Sequence, residues 1–126
     1  FPYTTLFRSG ADFAQQDKVI EVITRLPFDN PKDPFYQKIE SLFSKQGKST
    51  FDSYSLPMMV LRFKQAIGRA QRRPEQRSAI LLMDNRPLVK SYGKLFIKEV
   101  SQEVTLRHAP FKQIKEDIQE FLEKEC

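Results

Sequence analysis

Cysteine and histidine are almost missing from this chain, and each shortage removes a class of function. There is one cysteine, Cys126, the last of the 126 residues. A single thiol allows no disulfide framework and no Cys-x-x-Cys metal site within the chain. The one histidine, His108, has no second metal ligand and no nucleophile placed beside it, and reads as ordinary surface. No metal site is therefore expected from these residues. No apolar run approaches the ~20 residues that a membrane-spanning helix needs, so no membrane contact is expected. No signal peptide is recognisable, and a cytoplasmic location is the default expectation. Gly47-Lys48-Ser49 occurs, but Leu42 stands where the Gly-x-x-x-x-Gly-Lys-Thr/Ser pattern needs its first glycine, so these residues supply no P-loop. Repeats and low-complexity tracts are missing as well.

What is present suits one globular domain. The length of 126 residues and the 40% hydrophobic content are enough for a single core. There are 21 basic and 16 acidic residues, a net charge of +5. That balance is compatible with a phosphate-bearing partner without demonstrating one. The basic residues are densest between Arg62 and Arg77.

Within that basic region lies Gln65-Ala66-Ile67-Gly68-Arg69-Ala70-Gln71-Arg72. On a helix, Gln65, Gly68, Arg69 and Arg72 are spaced i, i+3, i+4, i+7 and share one face. Val60, Phe63, Ile67 and Ala70 form a second, apolar face that reads as buried. Two guanidiniums so placed can engage different oxygens of one phosphate chain, each through a bidentate fork. Gly68 removes a side chain beside Arg69 and would let a ligand or a facing backbone come close. A solvated basic helix face that binds nothing in particular is the plainer alternative.

The remaining elements follow in order. Lys18 to Thr24 is rich in β-branched residues and predicts a buried strand. Arg25 to Pro34 is a loop punctuated by Pro27, Pro31 and Pro34. Such a loop leaves the C-terminal end of a strand, where ligands of α/β sheets usually bind. Arg25 and Lys32 are thus candidates for a nucleic-acid backbone, or are simply solvated cations. Asp33 can cap a helix with Pro34 at its first position. That helix would carry Phe35, Ile39, Leu42 and Phe43 and stop at Gly47. Phe51 to Tyr54 is a connector whose aromatics either stack on a base or pack in the core. The motif helix is expected from Ser55 to Arg73, ended by Pro74. Ser78 to Met83 is a second strand, and Asp84-Asn85-Arg86-Pro87 starts a helix with Leu88, Tyr92 and Leu95 on one face. Arg86 either completes a nucleotide or DNA site or pairs with Asp84. Glu103 to Arg107 alternates weakly, like a short last strand. Pro110 to Lys124 predicts an amphipathic helix with Phe111, Ile114, Ile118, Phe121 and Leu122 on one side. Strands alternating with helices in this order predict an α/β layer with a mainly parallel sheet.

The order Gln-x-x-Gly-Arg-x-x-Arg resembles motif VI of superfamily 2 helicases. Leu56-Pro57, Leu61-Arg62-Phe63-Lys64-Gln65-Ala66-Ile67-Gly68-Arg69, Met83-Asp84-Asn85-Arg86 and Ser91-Tyr92-Gly93-Lys94 narrow the resemblance to the C-terminal helicase domain of the DinG/XPD family. Thr24-Arg25-Leu26-Pro27-Phe28 and Pro31-Lys32-Asp33-Pro34 are similar to the segment that precedes motif VI there. Gly10-Ala11-Asp12-Phe13 resembles the tail of motif V. The likeness runs from about Gly10 to Val100 and is nearer to DinG than to XPD.

The resemblance implies part of a RecA-like (P-loop NTPase type) second helicase domain, with a mainly parallel sheet flanked by helices. It implies an ATP-dependent, 5′ to 3′ DNA helicase of DNA repair or replication, with Arg69 and Arg72 as catalytic arginine fingers. Gln65, Gly68, Arg69, Arg72 and Asp12 would contact ATP. Arg25, Lys32 and Arg86 would lie along single-stranded DNA. ATP and Mg²⁺ would be held mainly by a first RecA-like domain of the same protein, so the chain alone is expected to be inactive. An iron–sulfur cluster, which many relatives carry in their N-terminal half, has no ligands here and is left open. Two rivals stand beside this reading: the helicase-like body of a DinG-type exonuclease, and a non-catalytic nucleic-acid-binding module. Finally, Phe1 to Ser9 is what TTTCCCTACACGACGCTCTTCCGATCT encodes, a string that resembles a sequencing-adapter oligonucleotide. Residues 1–9 are left out of fold reasoning on that ground, and residues 10–126 are expected to be the C-terminal part of the second RecA-like domain, with the natural protein continuing upstream.

Overall fold

A computed structural model of the chain describes residues 17–123. The expectations for residues 1–9 and for Asp12 lie outside them. The element order is β1 (Lys18–Ile23), α1 (Pro34–Lys45), a π-helical turn (Phe51–Ser55), α2 (Leu56–Ala70), β2 (Arg77–Leu82), α3 (Arg86–Val89), α4 (Gly93–Val100) and α5 (Phe111–Glu123). The two strands pair in parallel, with Lys18 opposite Arg77 and Ile23 opposite Leu82.

Alternation along the strands sorts side chains onto two faces. Val19 and Ile23 point to one face, together with Ile80 and Leu82 of β2, and α2 covers them. Leu56, Met59, Val60, Phe63, Ala66, Ile67 and Ala70 make the buried stripe of α2. All four residues of the predicted apolar face are in it. Leu26, Phe96 and Val100 close the core, with the Phe63 and Phe96 rings edge to face at 5.0 Å between centroids. Burying each such large side chain stabilises the fold by roughly 1.5–3 kcal/mol. The other face of β2 is covered by α5, where Ile114, Ile118 and Leu122 are half-buried.

Helix boundaries follow local chemistry. The Asp33 carboxylate accepts the Phe35 N–H at 2.8 Å, and Pro34 opens α1 as expected. At the other end Gly47 takes φ +69°. The Gly47 N–H donates to the Ser44 carbonyl and the Lys48 N–H to the Phe43 carbonyl, each at 3.0 Å. That paired bonding is a Schellman stop. The connector is helical rather than irregular: the Leu56 N–H reaches back five residues to the Phe51 carbonyl. Pro57 explains the widening, because it has no N–H for the Ser53 carbonyl and its ring crowds that turn. Phe51 packs against Phe28 and Tyr92, and Tyr54 against Tyr36 and Phe43. The connector aromatics therefore serve packing.

Three expectations fail. The motif helix ends at Ala70, not near Arg73. Glu103 to Arg107 is no strand; the Glu103 and Val104 N–H groups turn back to the Val100 carbonyl and are lost to any ladder. The row Leu88, Tyr92, Leu95 is not one helical face, because Lys90 adopts extended backbone between α3 and α4. Leu88 and Leu95 are left exposed while Phe96 enters the core. On α1, which forms as expected, Phe35 and Leu42 are exposed and no residue is fully buried.

Gly93 lets α3 and α4 meet. A Cβ built there would sit 1.9 Å from the Pro87 carbonyl oxygen, which belongs to rigid backbone. Gly93→Ala is expected to destabilise the fold by about 1–3 kcal/mol or more. A thermal melt indistinguishable from wild type would refute the close approach.

Candidate functional site

Parallel pairing fixes where α2 delivers its arginines. The chain leaves the C-terminal end of β1 and must return to the N-terminal end of β2, so α2 runs against the strands. Its last turn, with Gly68 and Arg69 and with Gln65 one turn before, therefore lies toward the strand starts. Gln65 is exposed, and Gly68 and Arg69 are half-buried. A Cβ on Gly68 would meet no atom within 4 Å, so that glycine leaves open space beside Arg69 and serves no packing within the described residues.

Arg69 acts on a carboxylate beneath the helix. Glu21 follows Val19 and precedes Ile23 on the core side of β1. Its Oε2 is buried without a hydrogen-bond partner. Burial raises the Glu21 pKa above the usual carboxylate value, and the Arg69 charge offsets this only in part.

Arg72 is not on the helix. Pro74 has no N–H for the Ala70 carbonyl and disfavours a helical Arg73. The Ser78 hydroxyl takes that carbonyl instead, at 2.6 Å. Arg73 to Gln76 forms a β-turn with Pro74 at its second position, closed by the Gln76 N–H on the Arg73 carbonyl at 3.1 Å. The buried Gln76 side chain turns inward: its Oε1 accepts the N–H of Arg72 at 2.6 Å and of Arg73 at 3.2 Å. The Gln71 amide donates to the Arg73 and Gln76 carbonyls at 2.7 and 2.8 Å. Arg73 pairs with Asp17 and Glu75, each at 2.9 Å. Arg72, exposed, thus projects from a laced turn. The expected i+7 relation to Gln65 is lost, although Arg72 remains close to Arg69 in sequence and at the same end of the sheet.

The opposite end is organised by Asp84. Its carboxylate accepts the Leu26 N–H at 2.9 Å, the Arg86 N–H at 3.0 Å and the Arg86 Nε at 2.9 and 3.0 Å. The side chain is only 7% exposed. Burial alone would raise its pKa, but the Arg86 guanidinium and the two backbone N–H groups outweigh burial and lower it to about 2. Of the two readings of Arg86, pairing with Asp84 is the one the structure shows. The Arg86 guanidinium also sits 5.3 Å from the Phe28 ring centroid. Arg62 of α2 ties the same loop down through Asp29 at 3.0 Å and the Pro27 carbonyl at 3.2 Å. Arg25 and Lys32 are exposed on this loop, and the Lys32 N–H donates to Asn30 Oδ1 at 3.0 Å.

The predicted residues therefore fall into two groups. Gln65, Gly68, Arg69 and Arg72 gather at the strand starts; Arg25, Lys32 and Arg86 belong to the strand ends. Six-residue strands separate the two by roughly 17 Å. Arg86 is thus not brought to the arginine pair. Among the described residues, no three His, Cys, Asp or Glu side chains gather as metal ligands. No helix among them is long and apolar enough to cross a membrane. Sequence reasoning missed Glu21, Arg62, Gln71 and Gln76. Glu21 carried a signal, a lone acid on the apolar side of a strand; the glutamines carried none.

Comparison with known proteins adds the lineage. The model of a helicase C-terminal domain matches residues 3–103. The 3′-5′ exonuclease DinG of Bacillus subtilis is 37% identical over 94 residues, 75% of this chain and 10% of that protein. The ATP-dependent DNA helicase YoaA of Escherichia coli is 31% identical over 94 residues, 75% of this chain and 15% of that protein. The 3′-5′ exonuclease DinG of Staphylococcus aureus (strain USA300) is 35% identical over 118 residues, 94% of this chain and 12% of that protein. The chain thus spans a small part of the relatives it matches. No solved structure matches it significantly.

The Asp84 clasp has a pH signature. A carboxyl lowered from 3.8 to about 2 stabilises the fold by about 2 kcal/mol at neutral pH. That contribution is fully present above pH ~4 and is lost as the pH falls through ~2. Urea unfolding is expected to show the wild-type advantage over Asp84→Asn shrinking by about 2 kcal/mol between pH 6 and pH 2. A pH-independent difference would contradict the clasp.

Proposed function

Because this chain belongs to the helicase C-terminal domain family, we propose that it is part of the second RecA-like motor domain of a DinG-like, ATP-dependent DNA helicase. The observation that carries this reading is the end of α2. Arg69 lies on the last turn next to Gly68, where a Cβ would meet nothing within 4 Å, and Arg72 lies on the laced turn that follows.

In this reading ATP binds between a first RecA-like domain of the same protein and this one. The first domain holds the phosphates and magnesium. On closure, Arg69 and Arg72 reach the γ-phosphate and stabilise its charge as it passes to water. Such fingers contribute roughly 10³–10⁵ in rate in other NTPases. Gln65 helps to orient the nucleotide, and the missing side chain of Gly68 leaves room for it. Asp12, which would contribute from the preceding motif, is outside the described residues. Hydrolysis releases the closed state, and the domain motion moves the protein along single-stranded DNA in the 5′ to 3′ sense. Arg25 and Lys32 then serve the DNA track from the strand ends. Arg86 supports that loop through Asp84 rather than contacting the strand itself.

One observation favours a second reading. Relatives from B. subtilis and S. aureus carry the name 3′-5′ exonuclease DinG, which suits a helicase-like body attached to a nuclease. Strand degradation that persists when ATP turnover is removed would favour it.

In the full-length protein, Arg69→Ala and Arg72→Ala are each expected to lower DNA-stimulated ATPase activity by about 10³-fold while leaving nucleotide affinity largely intact. The isolated chain is expected to hydrolyse no ATP, since it forms one wall of the cleft. Unchanged turnover in both variants removes the finger assignment.

A further inference from the structure

We propose that Gln76 is a positioning residue for Arg72, holding the backbone of that arginine at the angle its phosphate chemistry requires. The inference rests on the finger reading above and extends it to a residue that touches no substrate.

The geometry is specific. Gln76 is 4% exposed, yet it is a polar side chain in a segment dominated by surface charge. Its Oε1 accepts two consecutive backbone N–H groups, from Arg72 and Arg73. Those donors follow the end of α2, where the backbone has left helical geometry: Gln71 has φ −117° and ψ 89°. Arg72 therefore lies beyond the helical ladder. Gln71 answers from the other side, donating both of its amide hydrogens to the Arg73 and Gln76 carbonyls. One amide thus holds the N–H groups of the turn and the other holds its carbonyls. The Ser78 hydroxyl on the Ala70 carbonyl anchors the turn to the helix, and the Arg77 N–H on the Asp17 carbonyl at 2.9 Å anchors it beside the sheet. The set of bonds leaves the Arg72 Cα–Cβ direction with little freedom. Arginine fingers depend on such pre-set direction, since a displacement near 1 Å can cost about 10²-fold in rate.

The chemistry also dictates which replacements preserve the function. A carboxylate accepts N–H bonds at least as well as an amide oxygen, so Gln76→Glu keeps the acceptor. Gln76→Leu fills similar space without one and leaves two N–H groups unsatisfied.

The test is steady-state, DNA-stimulated ATPase kinetics on the full-length protein. Gln76→Leu is expected to lower kcat about 10- to 100-fold with KM for ATP unchanged, while Gln76→Glu stays within about threefold of wild type. In an Arg72→Ala background, Gln76→Leu is expected to add no further loss, because the group it positions is gone. If Gln76→Leu does not fold, Gln71→Ala carries the test, since Gln71 is exposed and its loss uncovers no core; a severalfold fall in kcat, absent in the Arg72→Ala background, is expected. Loss in Arg72→Ala with normal turnover in Gln76→Leu, or in Gln71→Ala where that variant stands in, overturns the inference alone. Equal fractional losses with and without Arg72 also overturn it, because they report general damage. Normal turnover in Arg72→Ala overturns the finger reading, and the inference with it.

Discussion

The parallel pairing of β1 with β2 is the constraint on which the rest of this structure depends. Parallel neighbours cannot be joined by a hairpin, so the chain must travel back along the sheet before the second strand begins. Here that return is α2, and its direction follows from the pairing. The helix begins near the strand ends and finishes near the strand starts. Arg69 on its last turn, and Arg72 just beyond it, therefore share one edge of the sheet with Asp17 and the start of β2. The loop after β1 and the Asp84–Arg86 segment after β2 share the other. The distance of roughly 17 Å between the edges is the length of a six-residue strand.

Two carboxylates show how the same side-chain chemistry is set to different ends by its neighbours. Asp84 is buried but collects a guanidinium and two backbone N–H groups, and its pKa falls. Glu21 is half-buried with an unbonded Oε2, and burial dominates, so its pKa rises despite Arg69. Asp84 is consequently a fixed structural anion that ties β1 to β2 at their ends. Glu21 is a less settled charge beneath the helix, where the nearby arginine has reason to remain. A carboxylate on the core face of a strand costs stability unless a cation stays near it. The position of Arg69 is thus supported from inside the fold as well as by the helix that carries it.

Much of this was legible in the sequence, and the parts that were not share a cause. Both strands, the cap at Asp33, the stop at Gly47, the stripe Val60, Phe63, Ile67 and Ala70, and the terminal helix follow from periodicity and local chemistry. The motif helix ends three residues short of Arg73 because of what Pro74 lacks. Its missing N–H in fact ends hydrogen bonding four residues earlier, at the Ala70 carbonyl. The break between α3 and α4 was invisible because it depends on a contact of Gly93 with Pro87, a tertiary event that periodicity cannot report. The face shared by Gln65, Gly68 and Arg69 was readable, since a helix surface is fixed by spacing alone. The roles of Gln71 and Gln76 were not, since each depends on where the chain goes after it leaves the helix.

That departure changes what the two arginines can do. On a continued helix, Arg69 and Arg72 would be i, i+3 neighbours with parallel side chains. Like charges so placed repel each other by a few tenths of a kcal/mol. They would also approach a phosphate from the same side. Ending α2 at Ala70 relieves that repulsion and gives Arg72 a direction independent of the helix axis. The loss of helical order carries an entropic cost, which returns if the turn is loose. A buried glutamine that binds two successive N–H groups offsets that cost at the position where it matters. The departure from the expected helix is therefore the means by which two identical side chains, close in sequence, leave the backbone in different settings: Arg69 from the helix, Arg72 from the turn after it.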